Sequence, residues 1–231
     1  MSNNKDDFEK VEKTNETPRF TKGLFTILFI VTSLTIGYQV VQFLTKTNKP
    51  IDSHVFFVMP DQKPVPEVTL QMAGKGNIST QEFKGKWHLL YFGYTFCPDV
   101  CPVELTALHD MYAQLETKVV KEKLPQVVFI SIDPKRDSPK RAMEYAHYFD
   151  PNFIGITGEP DQLIELGDPL GIAWFKEKNA NIQAKASDKN YIISHSTTIL
   201  LVNPKGKVVG FFPAPHDSSK MAEVYTQLIN Q

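Results

Sequence analysis

The sequence predicts an α/β domain whose helices cover a central sheet, and three observations carry that reading. Short apolar runs such as Leu89–Gly93 alternate with long helical patterns such as 104–115. Val127–Ile132 is an almost continuous apolar run, as expected for a central parallel strand buried on both faces. The alternation then repeats to the C-terminus, the arrangement that places helices against a sheet.

Ahead of that domain lie three segments of different character. Residues 1–22 are rich in Lys, Asp, Glu, Asn and Thr and are expected as a disordered tail. Residues 23–44 contain no charged side chain, which is long enough for a helix to cross a hydrocarbon core. Their apolar run ends without the small-residue pattern of a cleaved signal peptide, and no cysteine near them offers a lipoprotein processing site. Lys10, Lys13, Arg19 and Lys22 precede the run, whereas only Lys46 and Lys49 follow it closely. The cation bias therefore predicts an N-terminus held in the cytoplasm and a globular part on the far side: periplasmic in a bacterium, in the intermembrane space of a mitochondrion. Residues 45–65, with Pro50, Pro60 and Pro64, are expected as an extended tether.

The domain itself is expected over 66–231. Val68–Leu70 suggests a strand, Gly74–Asn77 a turn, and Ser79–Phe83 a lead into a tight turn at Gly85. A strand over Trp87–Gly93 is followed by a helix over about 101–118 and the central strand at 127–132. Ser138 is a natural N-cap with Pro139 in the first turn, giving a helix to Phe149. Phe153–Thr157 (strand), Pro160–Leu170 (helix) and Ile172–Glu177 (strand) continue the alternation. A polar loop over Asn179–Asn190 precedes a strand at Thr197–Val202, a turn at Asn203–Gly206, a strand at Lys207–Phe212 and a last helix over Ser218–Ile229.

Chemistry concentrates in Tyr94–Pro102, which holds both cysteines, Cys97 and Cys101. They fall where a strand turns into a helix, so free N–H groups and the helix dipole favour a thiolate, with Cys97 the more reactive. Residues four apart on a helix share a face, so the two sulfurs could hold one soft metal ion. They could also form a disulfide, their Cα atoms being expected about 6 Å apart on a helix. A purely structural bridge would close a very small loop and constrain the unfolded chain little. Among the histidines, His54 reads as solvated, and His88, His109 and His147 as packing or surface residues. His195 stands at the mouth of a strand and can point at a neighbouring loop, as ligand or as an ordinary loop histidine. A net charge of −1 with no long basic block points away from nucleic acid.

The stretch Tyr91–Pro102 closely resembles the signature of the Sco/SenC family, membrane-anchored thioredoxin-like copper proteins of cytochrome oxidase assembly. The similarity extends to Gly85-Lys86, to Ser131–Pro139, to His195-Ser196 and to Asn203–Gly206, and covers essentially all of 66–231. It implies a thioredoxin-like domain with a mixed central sheet behind one transmembrane helix. It also implies copper ligation by Cys97, Cys101 and His195, with Cu(I) favoured by two thiolates and an imidazole and Cu(II) left open. The implied function is a chaperone that receives copper from an upstream donor protein and delivers it to the dinuclear copper site of an oxidase subunit. The competing readings are a thiol-disulfide oxidoreductase acting on that subunit's cysteines and a redox-signalling thioredoxin relative. Two departures stand out: Ser194 precedes His195 where many relatives have an acidic residue, and Phe96 precedes Cys97 where many have histidine. Asp133 and Asp137 fit either the rim of the site or turn formation and helix capping.

Overall fold

The computed structural model describes residues 19–44, 50–177 and 191–230, so the expected tail over 1–18, the start of the tether at 45–49 and the polar loop at 179–190 lie outside the described residues. The chain divides into two units, 1–49 and 50–231. The first contains α1, Arg19–Leu44, which begins inside the segment expected as tail. Its described apolar side chains, Phe25, Leu28, Phe29 and Leu34 among them, are all exposed. Among the described residues no helix is long and apolar enough to cross a membrane, the side chains of α1 being described without a break only from Phe25 to Val41.

The second unit is built on an eight-stranded mixed sheet. In chain order its strands and helices are β1 (Phe57–Pro64), β2 (Thr69–Met72), β3 (Gly76–Ser79), β4 (His88–Gly93), α2 (Val100–Glu116), β5 (Gln126–Ser131), α3 (Pro139–Phe149), β6 (Ile154–Thr157), α4 (Pro160–Gly167), β7 (Trp174–Lys176), β8 (Ile193–His195), β9 (Ile199–Val202), β10 (Lys207–Phe212) and α5 (Ser218–Leu228). The sheet order is β1-β10-β9-β4-β5-β6-β2-β3, and β7 and β8 form a separate hairpin-like pair. Strands β4, β5 and β6 run parallel at the centre, and the remaining pairings are antiparallel.

Local sequence accounts for these elements. All six residues of β4 are buried, as are Val127–Ser131 of β5, matching their unbroken apolar runs. Ser138 caps α3 by accepting from the Arg141 N–H, with Pro139 in the first turn, as the sequence predicts. Ser79 and Glu82 form a reciprocal capping box on the short 3₁₀ turn Thr80–Phe83. Gly155 is required by close approach: a Cβ there would stand 1.9 Å from the Ala142 carbonyl oxygen, so α3 lies directly on β6.

Three expectations need correction. Residues 57–64, expected as tether, pair antiparallel with β10 and make β1 the edge of the sheet. Pro60 and Pro64 are tolerated there because an edge strand leaves half its N–H groups unpaired. The helix that carries Cys101 begins at Val100, so Cys97 precedes it and the two cysteines do not share a helical face. The strand expected from Thr197 begins at Ile199, and His195 ends a strand of its own, β8, paired with Trp174.

Candidate metal centre

The cysteine half of the site is built by β4 and α2. Gly93 ends β4 because nothing larger fits: a Cβ would lie 2.8 Å from the Cys101 sulfur. The chain then turns, the Cys97 N–H donating to the Tyr94 carbonyl at 3.2 Å, and enters α2. Cys101, one residue into the helix, is fully buried, with Leu105 and Leu108 anchoring the following turns in the core. Cys97 is also buried but retains a sliver of exposure, 8%. Both thiols are free.

Asp137 fixes this turn from below. Fully buried, it accepts from the Thr95 N–H at 2.7 Å, from the Thr95 hydroxyl and from the Ser131 hydroxyl at 2.6 Å. The carboxylate is thereby satisfied by three donors, which is what a buried charge requires, and it welds the cysteine turn to the end of β5. Asp133 is held differently: its carboxylate accepts from the Arg136 Nε–H and from the Tyr191 hydroxyl. Both aspartates thus shape the site by holding its supports, while neither joins the sulfurs.

The histidine half comes from the β7–β8 pair. His195 Nδ1 lies 2.9 Å from the Ser196 carbonyl oxygen, an acceptor only, so Nδ1 carries a proton and donates it there. Nε2 points at the Cys101 sulfur at 3.4 Å. The rings of Tyr94 and Tyr91 meet the imidazole edge-on, with centroids 5.9 and 6.3 Å away. The ligand atoms of Cys97, Cys101 and His195 all lie within 4.8 Å of one another, and no other such cluster occurs among the described residues. Two metal–ligand bonds of about 2.3 Å span at most about 4.6 Å, so one ion could bridge all three with little closing motion.

The sulfurs differ in electrostatics. A hydrogen bond from the Cys101 side chain holds the Cys97 thiol far below its ordinary range against the opposing effect of burial, helped by His195 and by the Cys101 and Asp99 N–H groups. The Cys101 N–H to Cys97 Sγ contact is 3.4 Å. The shared hydrogen bond with Cys97, together with burial, pushes Cys101 up. The depressed thiol predicted at the turn is therefore Cys97. The neighbouring Tyr91 phenol is pushed up chiefly by burial and then by Cys101.

His88 and His109 behave as read from the sequence, as packing and surface residues. His88 packs its ring against Phe83 at 5.0 Å, and burial lowers it to about 4, keeping it neutral. His109 lies on the surface of α2 beside Asp150. Ser194 turns away from the site and donates to Glu177. Exposed Phe96 stacks under Arg136 and Arg141, at 4.9 and 4.3 Å. Sequence reasoning missed the support given by Tyr91, Tyr94, Arg136 and Tyr191, and the buried His216–Glu104 pair. The Tyr94 and Arg136 signals were present, since both lie inside the motifs that stood out.

The sequence profile of the SCO1/SenC family matches residues 66–230. The chain is 32% identical over 199 residues to an SCO2-like protein of Rickettsia conorii, covering 85% of this chain and 93% of that one. It is 33% identical over 144 residues to the mitochondrial SCO2 homolog of Homo sapiens, covering 62% of this chain and 51% of the human protein. The crystal structure of Arabidopsis thaliana ScoI with copper bound superposes with a TM-score of 0.63 at 27% identity, over 72% of this chain and 99% of that one.

Proposed function

This chain belongs to the SCO1/SenC family, and from that premise we propose that it is a membrane-anchored copper chaperone, holding Cu(I) on Cys97, Cys101 and His195 and delivering it to the dinuclear copper site of a cytochrome c oxidase subunit. One observation carries the reading: two sulfurs and one imidazole converge within 4.8 Å with no carboxylate among them. That donor set is soft and low in coordination number, which suits Cu(I). A structural zinc site would call for a fourth ligand. Copper is cargo here. It enters over Cys97 and His195, the two partly accessible ligands, and leaves by exchange for an acceptor's own ligands while buried Cys101 holds on longest.

Anchoring rests on α1. Its 26 residues extend about 39 Å at about 1.5 Å per residue, more than the hydrocarbon core of about 30 Å, and the uncharged run 23–44 fills most of it. The cations before the run place the N-terminus on the cytoplasmic side and the domain on the outer face, or in the intermembrane space if mitochondrial. A reporter fused after Gln231 is then active only outside the cytoplasm, and cytoplasmic activity overturns the topology.

A second reading, thiol-disulfide exchange with the oxidase subunit, draws on the split between a depressed Cys97 and an elevated Cys101, the pattern of an attacking and a buried partner thiol. His195 separates the two, since exchange does not need an imidazole ligand. Cells carrying His195→Ala are grown at limiting copper and their assembled oxidase is quantified. The chaperone reading predicts a deficit corrected by added copper; assembly equal to wild type replaces it with the reductase reading.

A further inference from the structure

The two halves of the site meet through one five-residue turn, 133–137, and its two ends do different work. Asp137 holds the cysteine turn. Arg136, whose side chain is 4% exposed, reaches the other way. Its Nη1 donates to the Tyr191 carbonyl at 2.8 Å, and its guanidinium lies 3.7 Å over the Tyr191 ring. Asp133 accepts from both the Arg136 Nε–H and the Tyr191 hydroxyl, closing a ring of contacts between the turn and the segment four residues before His195. The same guanidinium lies 4.9 Å from the ring of Phe96, the neighbour of Cys97. Strand β8, which carries His195, is three residues long and among the described residues pairs only with β7, so its own backbone bonds hold it weakly. Other contacts across the gap are a hydrogen bond from the Ile193 N–H to the Tyr94 hydroxyl at 3.2 Å and the edge-on packing of Tyr94 and Tyr91 on the imidazole.

We propose that Arg136, braced by Asp133, is a positioning residue: it clamps the Tyr191–His195 segment against the cysteine turn and so sets the imidazole within reach of an ion held by the two sulfurs. The inference rests on the copper-binding reading of the Cys97–Cys101–His195 cluster. A lysine at 136 keeps the charge but has neither the flat face that stacks on Tyr191 nor the fork that reaches Asp133 and the Tyr191 carbonyl together. None of the contacts named above joins Arg136 to a ligand atom, and its proposed role is the placement of His195.

The test is a double-mutant cycle on the full chain in detergent, reading Cu(I) affinity by competition with a chromophoric Cu(I) chelator. Arg136→Lys is expected to weaken binding about tenfold, the lower end of what loss of a ligand-orienting contact costs. In the His195→Ala background the same substitution is expected to change affinity less than twofold, because there is no imidazole left to place. Additive effects in the cycle overturn the proposal, since a general loss of structure would weaken both backgrounds equally. Hydrogen exchange of the metal-free chain gives an independent readout: Arg136→Lys should speed exchange at 191–196 and leave 100–116 unchanged, and no change at 191–196 also overturns it. Tyr191→Phe, which removes only the hydroxyl to Asp133, carries the same cycle if Arg136→Lys does not fold, with a smaller effect in the same direction. Should the wild-type chain take up no Cu(I), the copper reading fails, and the exchange experiment alone still decides the clamp.

Discussion

Cys101 sits at the head of a seventeen-residue helix whose next turns are buried in the core, with β4 behind it and Gly93 pressed against its sulfur. His195 ends a three-residue strand that belongs to a separate two-stranded pair outside the main sheet. The same candidate site is thus assembled from a part that a long helix and core packing fix, and a part carried on a small two-stranded pair that side-chain contacts tie to the cysteine turn. On the proposed copper-carrier reading, a rigid dithiol would keep the cargo, and a more loosely mounted imidazole would complete the coordination and be the first protein ligand an acceptor displaces.

The comparison breaks most completely at the sulfurs. Cys97→Ser and Cys101→Ser should each abolish measurable Cu(I) retention through gel filtration, because a hydroxyl is a poor ligand for so soft an ion. Retention by either variant would mean that the cysteine half is not the permanent seat of the cargo. Next in size is Asp137→Ala, which leaves the Thr95 and Ser131 donors without their shared acceptor and should lower unfolding stability by about 3 kcal/mol in urea melts. A loss under about 1 kcal/mol would show that the cysteine turn does not depend on this weld.

His195→Ala addresses the other half and should do less. Copper binding should weaken by roughly 10–100-fold, while exchange of the two thiols with a small disulfide proceeds as in wild type. Unfolding stability should stay within about 0.5 kcal/mol of wild type if the imidazole is only lightly built into the fold.

The smallest effect concerns the two thiols of the metal-free protein. A thiol of ordinary pKa, about 8.5, loses thiolate nearly tenfold for each pH unit below that value. Cys97, depressed by its hydrogen bonds from Cys101 and the backbone, is already thiolate, so its alkylation by iodoacetamide should be nearly flat from pH 6 to 8, and Cys101 should resist. The sign for folding follows. A group whose pKa falls on folding contributes stability above its unfolded pKa and loses it as pH drops toward the folded one. Acidification should therefore cost the wild-type chain more stability than Cys97→Ser, and equal acid sensitivity of the two would contradict the assignment.

The same contrast explains what could be read from the sequence. The cysteine half was legible because it is local: an apolar strand, a proline-flanked turn and a helical pattern lie consecutively in 89–115, and structure and sequence agree there to within a residue or two. Even so, the helix starts at Val100, and the common helical face expected for the sulfurs is replaced by a turn that folds Cys97 back over the Cys101 N–H. The histidine half depends on contacts between residues distant in sequence. Strand β8 is too short and too polar to show a period of two, and its partner lies at 174–176. The edge strand β1 was hidden for another reason: almost all its side chains are exposed and it contains two prolines, so no buried face left a mark. Asp133, Asp137 and Arg136 stood in a conspicuous motif in which the two aspartates fitted either the rim of the site or a turn and cap, and only three dimensions show that they hold the segments bearing Cys97 and His195.

The account turns on one ion being shared by both halves, and X-ray absorption at the copper edge of the anaerobically loaded full chain tests that most directly. With one Cu(I) bound per chain, the account predicts two sulfur neighbours and one imidazole nitrogen, and in His195→Ala the same two sulfurs without the nitrogen. An unchanged sulfur-and-nitrogen shell in His195→Ala, or a shell of sulfur alone in the wild type, would contradict it.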